Sequence, residues 1–381
     1  MGAAIDESVL DDKDKLSAGD PGGMLRAVAT AGAQVREAVL RTGEVDLSGV
    51  VAEGRPRAML VAGMGGSGIS GDVLVAVGGL ACPVPLIANR GYRLPGWVGP
   101  MDLVVSVSCS GRTEETLAVT DEALRRGCRV ITVGQPGSPL AERAMGGRAM
   151  HLPVDPAGRM PRSNIWALSV PVLLVADALG LLTVPAAVLD EVADALDTTS
   201  AACGPAVEVY DNPAKRLALD LAGTLPYVWG SSEIAGVAAY RLGCQLAENA
   251  KYPSVTGELP EVHHNQVVAL AGAFGSGAGD PDDLFRDRVD EAPGWPALRL
   301  LLLRDSVELP ELARGREATL ALAEEYGIGV QELPASGEHP LARLASLVAP
   351  TDFASVYLAL AQGIDPTPID PIVFVKKRTG S

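Results

Sequence analysis

Short apolar runs of strand length recur along the chain with helix-length segments between them, and this alternation limits the fold more than any other feature. In the first half the runs are Met59-Leu60-Val61-Ala62, Val84 to Ala88, Leu103 to Val107, Arg129 to Val133 and Met150 to Pro153. Helical segments fall between and after them: Asp72 to Val77, Glu115 to Arg126 and the long Trp166 to Leu182. Strands built from unbroken Val, Ile and Leu are buried on both faces, so this half reads as a parallel sheet covered by helices. The pattern restarts near Asn212-Pro213. There Tyr227 to Trp229, Val267 to Ala271, Leu298 to Leu303 and Val330 to Leu333 read as strands. The helices of this half run from GSSEIAG to Asn249, from Arg314 to Tyr326 and from Ala342 to Leu360. The expected class is α/β, in two subdomains, each a parallel sheet flanked by helices. At roughly 100–200 residues per domain, a chain of 381 residues suits two. The expected boundaries are a tail and arm helix over 1–56, a first subdomain over 57–185, a connector helix within 186–212 and a second subdomain with C-terminal helices over 213–381. Within the first stretch, residues 1 to about 20 read as mobile and Met24 to Leu40 as one helix. The Gly- and Asp-rich segment Gly275 to Asp283 reads as an exposed loop. Both halves put a Gly/Ser turn after a strand, GGSG and GSS, a sign of duplication.

Charge and composition narrow the partners. The net charge of -16 argues against nucleic acid and anionic membrane surfaces. An anionic ligand must therefore be held by local features. The acidic start ESVLDDKDK does not read as a secretory signal, and no run looks long enough for the ~18 apolar residues of a membrane helix. Five cysteines without CxxC spacing read as reduced thiols of a cytoplasmic protein, with zinc disfavoured.

Gly63, Gly65 and Gly68 match Gly-x-Gly-x-x-Gly between a strand and a helix, the dinucleotide fingerprint. The fingerprint also wants an acidic residue at the end of the next strand, and that strand ends in Ala88-Asn89-Arg90. Arg90 leaves a 2′-phosphate reading open. The third strand points elsewhere. It ends in Ser108-Cys109-Ser110-Gly111-Arg112-Thr113 before Glu114-Glu115-Thr116 opens a helix. Hydroxyls at Ser108, Ser110 and Thr113 sit where free backbone N–H groups and the positive helix end favour an anion. Such a turn suits a small phosphate ester. Helix capping would explain one hydroxyl, not three.

The densest group of titratable residues is Glu248 to Asn265, ENAKYPSVTGELPEVHHN, with two of the chain's four histidines side by side. It reads as a helix end, Gln245 to Lys251, running into an irregular loop that Pro253 and Pro260 keep out of helix. Glu248 offers a general base, or an i,i+3 partner for Lys251. His263 and His264 with His339 could chelate a metal, but adjacent histidines point apart, and His263 reads as structural.

GMGGSGISGD, SCSGRTEET, Glu248-Asn249-Ala250-Lys251-x-Pro and Pro260-Glu261-x-x-His264-Asn265 together resemble the bifunctional phosphoglucose/phosphomannose isomerases, which are sugar isomerase (SIS) domain proteins. Asp352 to Leu358, Gly363 to Pro368 and Val375-Lys376 extend the resemblance over roughly residues 24 to 378. It implies two SIS-type subdomains and a homodimer with shared active sites, with no metal and no organic cofactor. It also implies roles. Ser67, Ser108, Ser110 and Thr113 hold the substrate phosphate. Glu248 moves the proton between C1 and C2. His264 opens the sugar ring in the partner subunit's site. Arg162, in Met160-Pro161-Arg162, steadies the enediolate, and Lys376 is a C-terminal site lysine. Two positions depart from the family: Cys109 stands where it usually has Tyr, and Arg112 where it usually has Asn.

The expected activity is interconversion of glucose 6-phosphate and/or mannose 6-phosphate with fructose 6-phosphate through a cis-enediol. One carboxylate can carry the proton on one face, and a fixed cation must meet the charge developing on oxygen. Arg162 could instead pair with an acidic neighbour. The alternative is a SIS-type protein that senses a sugar phosphate without turning it over; a sensor has no need of Glu248.

Overall fold

The computed structural model describes residues 5–145, 149–272, 274 and 296–379. The expected loop Gly275 to Asp283 lies outside the described residues. The chain forms two units of non-contiguous segments. One holds Arg26–Ser200 and Ile369–Ser381, the other Met1–Leu25 and Ala201–Pro368.

The first-sheet unit holds β1 (Met59–Ala62), β2 (Leu86–Asn89), β3 (Leu103–Ser108), β4 (Arg129–Gly134) and β5 (Ala149–Pro153). They pair in parallel in the order β2-β1-β3-β4-β5. β1 and β3 are buried along their whole length, as their Val- and Leu-rich sequences require. The helix Gly65–Gly78 follows β1 and buries Ile69, Val73, Leu74 and Val77. The helix Ile165–Ala178 is buried nearly all round. The stretch read as one arm helix breaks at Thr30, whose hydroxyl bonds the Ala27 carbonyl (2.7 Å), into Met24–Ala29 and Ala31–Gly43. The longer piece brings Gln34, 2% exposed, to the Ser163 carbonyl (2.8 Å).

The second-sheet unit holds β6 (Leu225–Gly230), β7 (Val255–Glu258), β8 (Leu298–Arg304) and β9 (Gly329–Pro334), parallel in the order β7-β6-β8-β9. Three expectations change here. β7 lies inside the segment read as irregular. Val255 and Thr256 are β-branched, and the exposed edge of β6 supplies the ladder that makes them a strand. Val267 to Ala271 belongs to a 3-10 helix, Gln266–Ala271, begun by the Asn265 side chain accepting from the Gln266 N–H. Five apolar residues in a row carry no period, so the run reads equally as strand or turn. Residues 5–20 are built onto this unit. Asp6 and Asp12 cap the turn Glu7–Val9 and the helix Lys13–Gly19, and Leu10 and Leu16 are 0% and 1% exposed. Fully buried Lys215 donates to the Val207 carbonyl (2.6 Å) and lies 3.5 Å from Asp11.

The helix Pro340–Ala361 runs through this core. Its 22 residues are long and apolar enough by composition to cross a membrane, against the sequence reading, yet 94% of its apolar window is buried in the protein. It carries Asp352, which takes the Arg241 guanidinium in a forked pair (2.6 and 2.9 Å) and the Gln245 amide (3.2 Å). Arg241 and Gln245 lie on the helix Glu233–Gln245, so the pair fixes that helix against the core helix. Replacing Arg241 by Met should leave a buried carboxylate without its counter-charge and cost about 3–5 kcal/mol. Arg241→Met with Asp352→Leu should recover most of it in urea unfolding; equal loss in the single and double variants would remove the pair's structural role.

Candidate active site

In a sheet of order 2-1-3-4-5 the helices after strands 1 and 3 leave on opposite faces, and the crevice between those strand ends is the usual ligand position. Ser67 follows β1 and Ser108 ends β3. Their hydroxyls are turned into this crevice region by local bonds. Ser67 Oγ accepts the Cys109 N–H (3.1 Å), which ties the two loops together. Ser108 Oγ lies 2.9 Å from Thr113 Oγ1. Thr113 is the N-cap of the helix Glu114–Arg125, but its side chain makes no capping bond. The capping explanation therefore does not account for its hydroxyl. Ser110 is half-buried and accepts weakly from the Arg112 N–H (3.3 Å). Gly111 between them has φ +62 and faces Ser138, so both conformation and space demand glycine.

Arg162 is placed beside this cradle by backbone packing. A Cβ on Gly66 would lie 3.1 Å from the Pro161 carbonyl oxygen and 3.2 Å from Arg162 Cα. The turn Pro161–Ser163 is held from behind by Gln34, and Arg162 is only 3% exposed. Lys376 lies on the helix Asp370–Thr379 and lines a groove of about 480 Å³ with Tyr92, Glu115 and Ile372. Arg90 is paired with Asp72, which engages the cation of the 2′-phosphate reading.

Glu248 and His264 belong to the second-sheet unit. The helix Glu233–Gln245 ends in a π turn, Leu246–Ala250, that carries half-buried Glu248. π turns inside helices are frequent at functional sites. The turn stops at Lys251, a non-glycine residue in the left-handed region (φ 54, ψ 34). The Lys251 ammonium meets the carbonyls of Glu248 (2.8 Å), Asn249, Asp365 and Pro366 (each 3.3 Å). Buried Asn249 donates to Ser355 (2.9 Å) on the core helix. His264 is exposed on the 3-10 turn Glu261–His264. His263 is half-buried, 2.8 Å from the Thr319 hydroxyl, and burial, with His264 beside it, pushes its pKa down. Among the described residues no three His, Cys, Asp or Glu side chains are grouped to hold a metal.

The second sheet repeats the topology, but its crevice is filled from within. At the end of β6 the Ser232 hydroxyl donates to Asp305 (2.7 Å), and Ser231 accepts the Asp305 N–H (2.8 Å). Arg343 lies 2.7 Å from the same carboxylate. The GSS turn thus meets an internal anion, whereas GGSG meets none among the described residues. Three supporting residues escaped the sequence reading: Gln34, Asp305 and Arg159, the last three residues before Arg162. Only Arg159 had a local signal, the turn sequence Asp155-Pro156-Ala157-Gly158 ahead of it.

Two parallel sheets with a hydroxyl-lined crevice define a SIS-type phosphosugar protein fold. A glucose-6-phosphate isomerase structure from Chlamydia trachomatis D/UW-3/Cx shares that fold, with a TM-score of 0.67 over 98% of this chain and 84% of that one at 13% identity. The family model described as the bacterial phospho-glucose isomerase C-terminal SIS domain matches residues 210–379. A bifunctional phosphoglucose/phosphomannose isomerase of Caldicellulosiruptor bescii is 30% identical over 320 residues, 84% of this chain and 88% of that protein. One from Aquifex aeolicus is 29% identical over 84% of this chain and 90% of that protein. The chain belongs to the bifunctional phosphoglucose/phosphomannose isomerase family.

The floor of the cradle yields a chemical test. Cys109 is buried, and desolvation pushes its thiol up to about 11; Cys203 is likewise raised to about 11. A raised thiol pKa keeps the group protonated below that pH, so at pH 8 roughly one Cys109 in a thousand is the reactive thiolate. Iodoacetamide on the native protein should label half-buried Cys82 and Cys244 first and leave Cys109 and Cys203 intact, read by peptide mass. Early labelling of Cys109 would contradict the buried floor.

Proposed function

We propose that the chain is a metal-independent aldose–ketose isomerase that interconverts glucose 6-phosphate and/or mannose 6-phosphate with fructose 6-phosphate through a cis-enediol. Glu248 carries this reading. A half-buried carboxylate, held on a π turn by Lys251 and Asn249, suits proton transfer. A protein that only sensed a sugar phosphate would have no use for it. Ser67, Ser108, Ser110 and Thr113 hold the phosphate. His264 passes a proton to or from the ring oxygen, for which imidazole is suited near neutral pH. Glu248 takes the proton from C2 or C1 and returns it to the neighbouring carbon. Arg162 meets the enediolate oxygen, and Lys376 completes the site. Oxidation at one carbon is balanced by reduction at the next within the same sugar, so the reaction calls for no redox cofactor. The working form is a cytoplasmic homodimer in which His264 serves the partner subunit's site.

A coupled assay starting from fructose 6-phosphate, reading glucose 6-phosphate and mannose 6-phosphate separately, tests the activity; binding without either product would favour the sensor. Glu248→Gln should keep phosphate binding and lose both turnover and exchange of the C2 deuteron with solvent. Persistent exchange would move the base elsewhere, to Glu261 first. For the shared site, inactive His264→Ala and Glu248→Gln subunits are mixed under subunit exchange. Random pairing should restore up to about one quarter of normal activity, and no recovery despite proven exchange would place His264 in its own subunit's site.

A further inference from the structure

The hydroxyl cradle offers a phosphate ester neutral donors and a helix end, but no full positive charge of its own. Ser67, Ser108, Ser110, Thr113 and backbone N–H groups are neutral donors, while a phosphate monoester carries about -1.5 to -2 near pH 7. The chain as a whole is at -16, so the balancing charge must be local.

We infer that Arg159 is a substrate-binding residue, supplying the cation that meets the phosphate held by the Ser67, Ser108 and Thr113 hydroxyls. The inference rests on the isomerase reading and deepens it at the same site. Ser108, ending β3, pairs with Gly134, ending β4, and the Gly134 carbonyl accepts the Val154 N–H (2.8 Å). The segment leaving β5 thus sets out along the strand ends that carry the cradle, and its turn Pro161–Ser163 packs on Gly66, next to Ser67.

Within that segment the chain is bent to present Arg159. Asp155 accepts the Ala157 N–H (2.8 Å), and the Arg159 N–H closes on the Pro156 carbonyl (2.9 Å). Ala157 and Gly158 both have positive φ, +48 and +73. A non-glycine residue seldom takes that conformation, so the surroundings impose it. The guanidinium is then held by oxygens without formal charge. Nε donates to Asn164 Oδ1 (2.9 Å) and Nη2 to the Asp155 carbonyl (3.3 Å). Asn164 is 0% exposed and is itself fixed to the Met160 carbonyl (3.0 Å).

The charge of Arg159 remains unanswered. Half-buried arginines elsewhere in this unit lie beside carboxylates: Arg126 with Glu122 (2.7 Å), Arg143 with Asp121 (2.7 Å) and Arg129 with Glu53 (3.7 Å). Half-buried Arg159 meets no carboxylate within 4 Å among the described residues. Its positive charge is felt at Cys109, the residue between Ser108 and Ser110, which bonds Ser67. A guanidinium anchored at Nε and Nη2, with no partner at Nη1 among the described residues, is pre-organised for a phosphate oxygen. Arg112 is a poorer candidate because it is exposed and no side-chain hydrogen bond holds it among the described residues.

The experiment measures Kd for inorganic phosphate by calorimetry, alongside KM and kcat for fructose 6-phosphate, in the parent, Arg159→Met and Arg159→Lys. Arg159→Met should raise both Kd and KM by roughly ten- to a hundredfold, the loss of one charge-assisted bond, with kcat within about twofold. Arg159→Lys should recover part of the affinity, because it keeps the charge without the planar fork. Unchanged Kd and KM in both variants would overturn the inference, as would a lowered melting temperature with affinity intact, which marks a merely structural arginine. The two readings fail separately. A parent that binds phosphate through Arg159 but yields no product defeats the isomerase and leaves the inference standing. Turnover indifferent to Arg159 defeats the inference alone.

Discussion

The parallel pairing of β1 with β3 is the constraint from which the phosphate cradle follows. Register sets Met59 against Leu103 and Ala62 against Ser106, so both strands end at the same edge. Each is followed by a turn and a helix, and each turn brings hydroxyls and free N–H groups to that edge. The link from Cys109 N–H to Ser67 is possible only because the strands are neighbours, although 42 residues separate the two. Large buried residues along β1 and β3 hold the pairing, and the cradle inherits its rigidity from them.

The same topology gives different chemistry in the second unit because one side chain differs. Asp305, at the end of β8, accepts from Ser232 at the end of β6, and Arg343 balances it. A crevice that already contains a carboxylate is a poor place for a second anion. This unit offers instead the π turn at the end of its first long helix. The Arg241–Asp352 pair and the Asn249–Ser355 bond fasten that helix and its turn to the core helix, so Glu248 sits on a rigid support. Lys251 spends its ammonium on carbonyls at the end of the turn, which closes a helix terminus and secures residues 365–366 together.

The order of strands and helices was legible because burial leaves a direct mark on composition. A strand covered on both faces is apolar at nearly every position: β1 is apolar throughout, and β3, β4 and β8 are dominated by Val, Ile and Leu. The hydroxyl turn after β3 was legible for a related reason: a cluster of Ser and Thr at a helix start has few purposes. The family motifs added roles to Glu248, His264, Arg162 and Lys376. β7 was hidden because its residues, Val-Thr-Gly-Glu, become a strand only when the edge of β6 is present to pair with them. The opening helices were hidden because their charged residues are outward caps over two buried leucines, Leu10 and Leu16, too few to make a period.

By itself the sequence determined the two parallel sheets, the hydroxyl cradle and the titratable segment around Glu248, since each rests on neighbouring residues and local chemistry. Tertiary structure alone decided which of the two Gly/Ser turns stays open to an anion, because the answer is Asp305, some 70 residues from the turn it fills. It alone decided that Gln34 braces the turn bearing Arg162, and that Arg159 meets no carboxylate among the described residues while Arg126, Arg129 and Arg143 of the same unit do. Those are facts of distance between residues remote in the chain, and charge pairing acts through distance, not through order along the sequence.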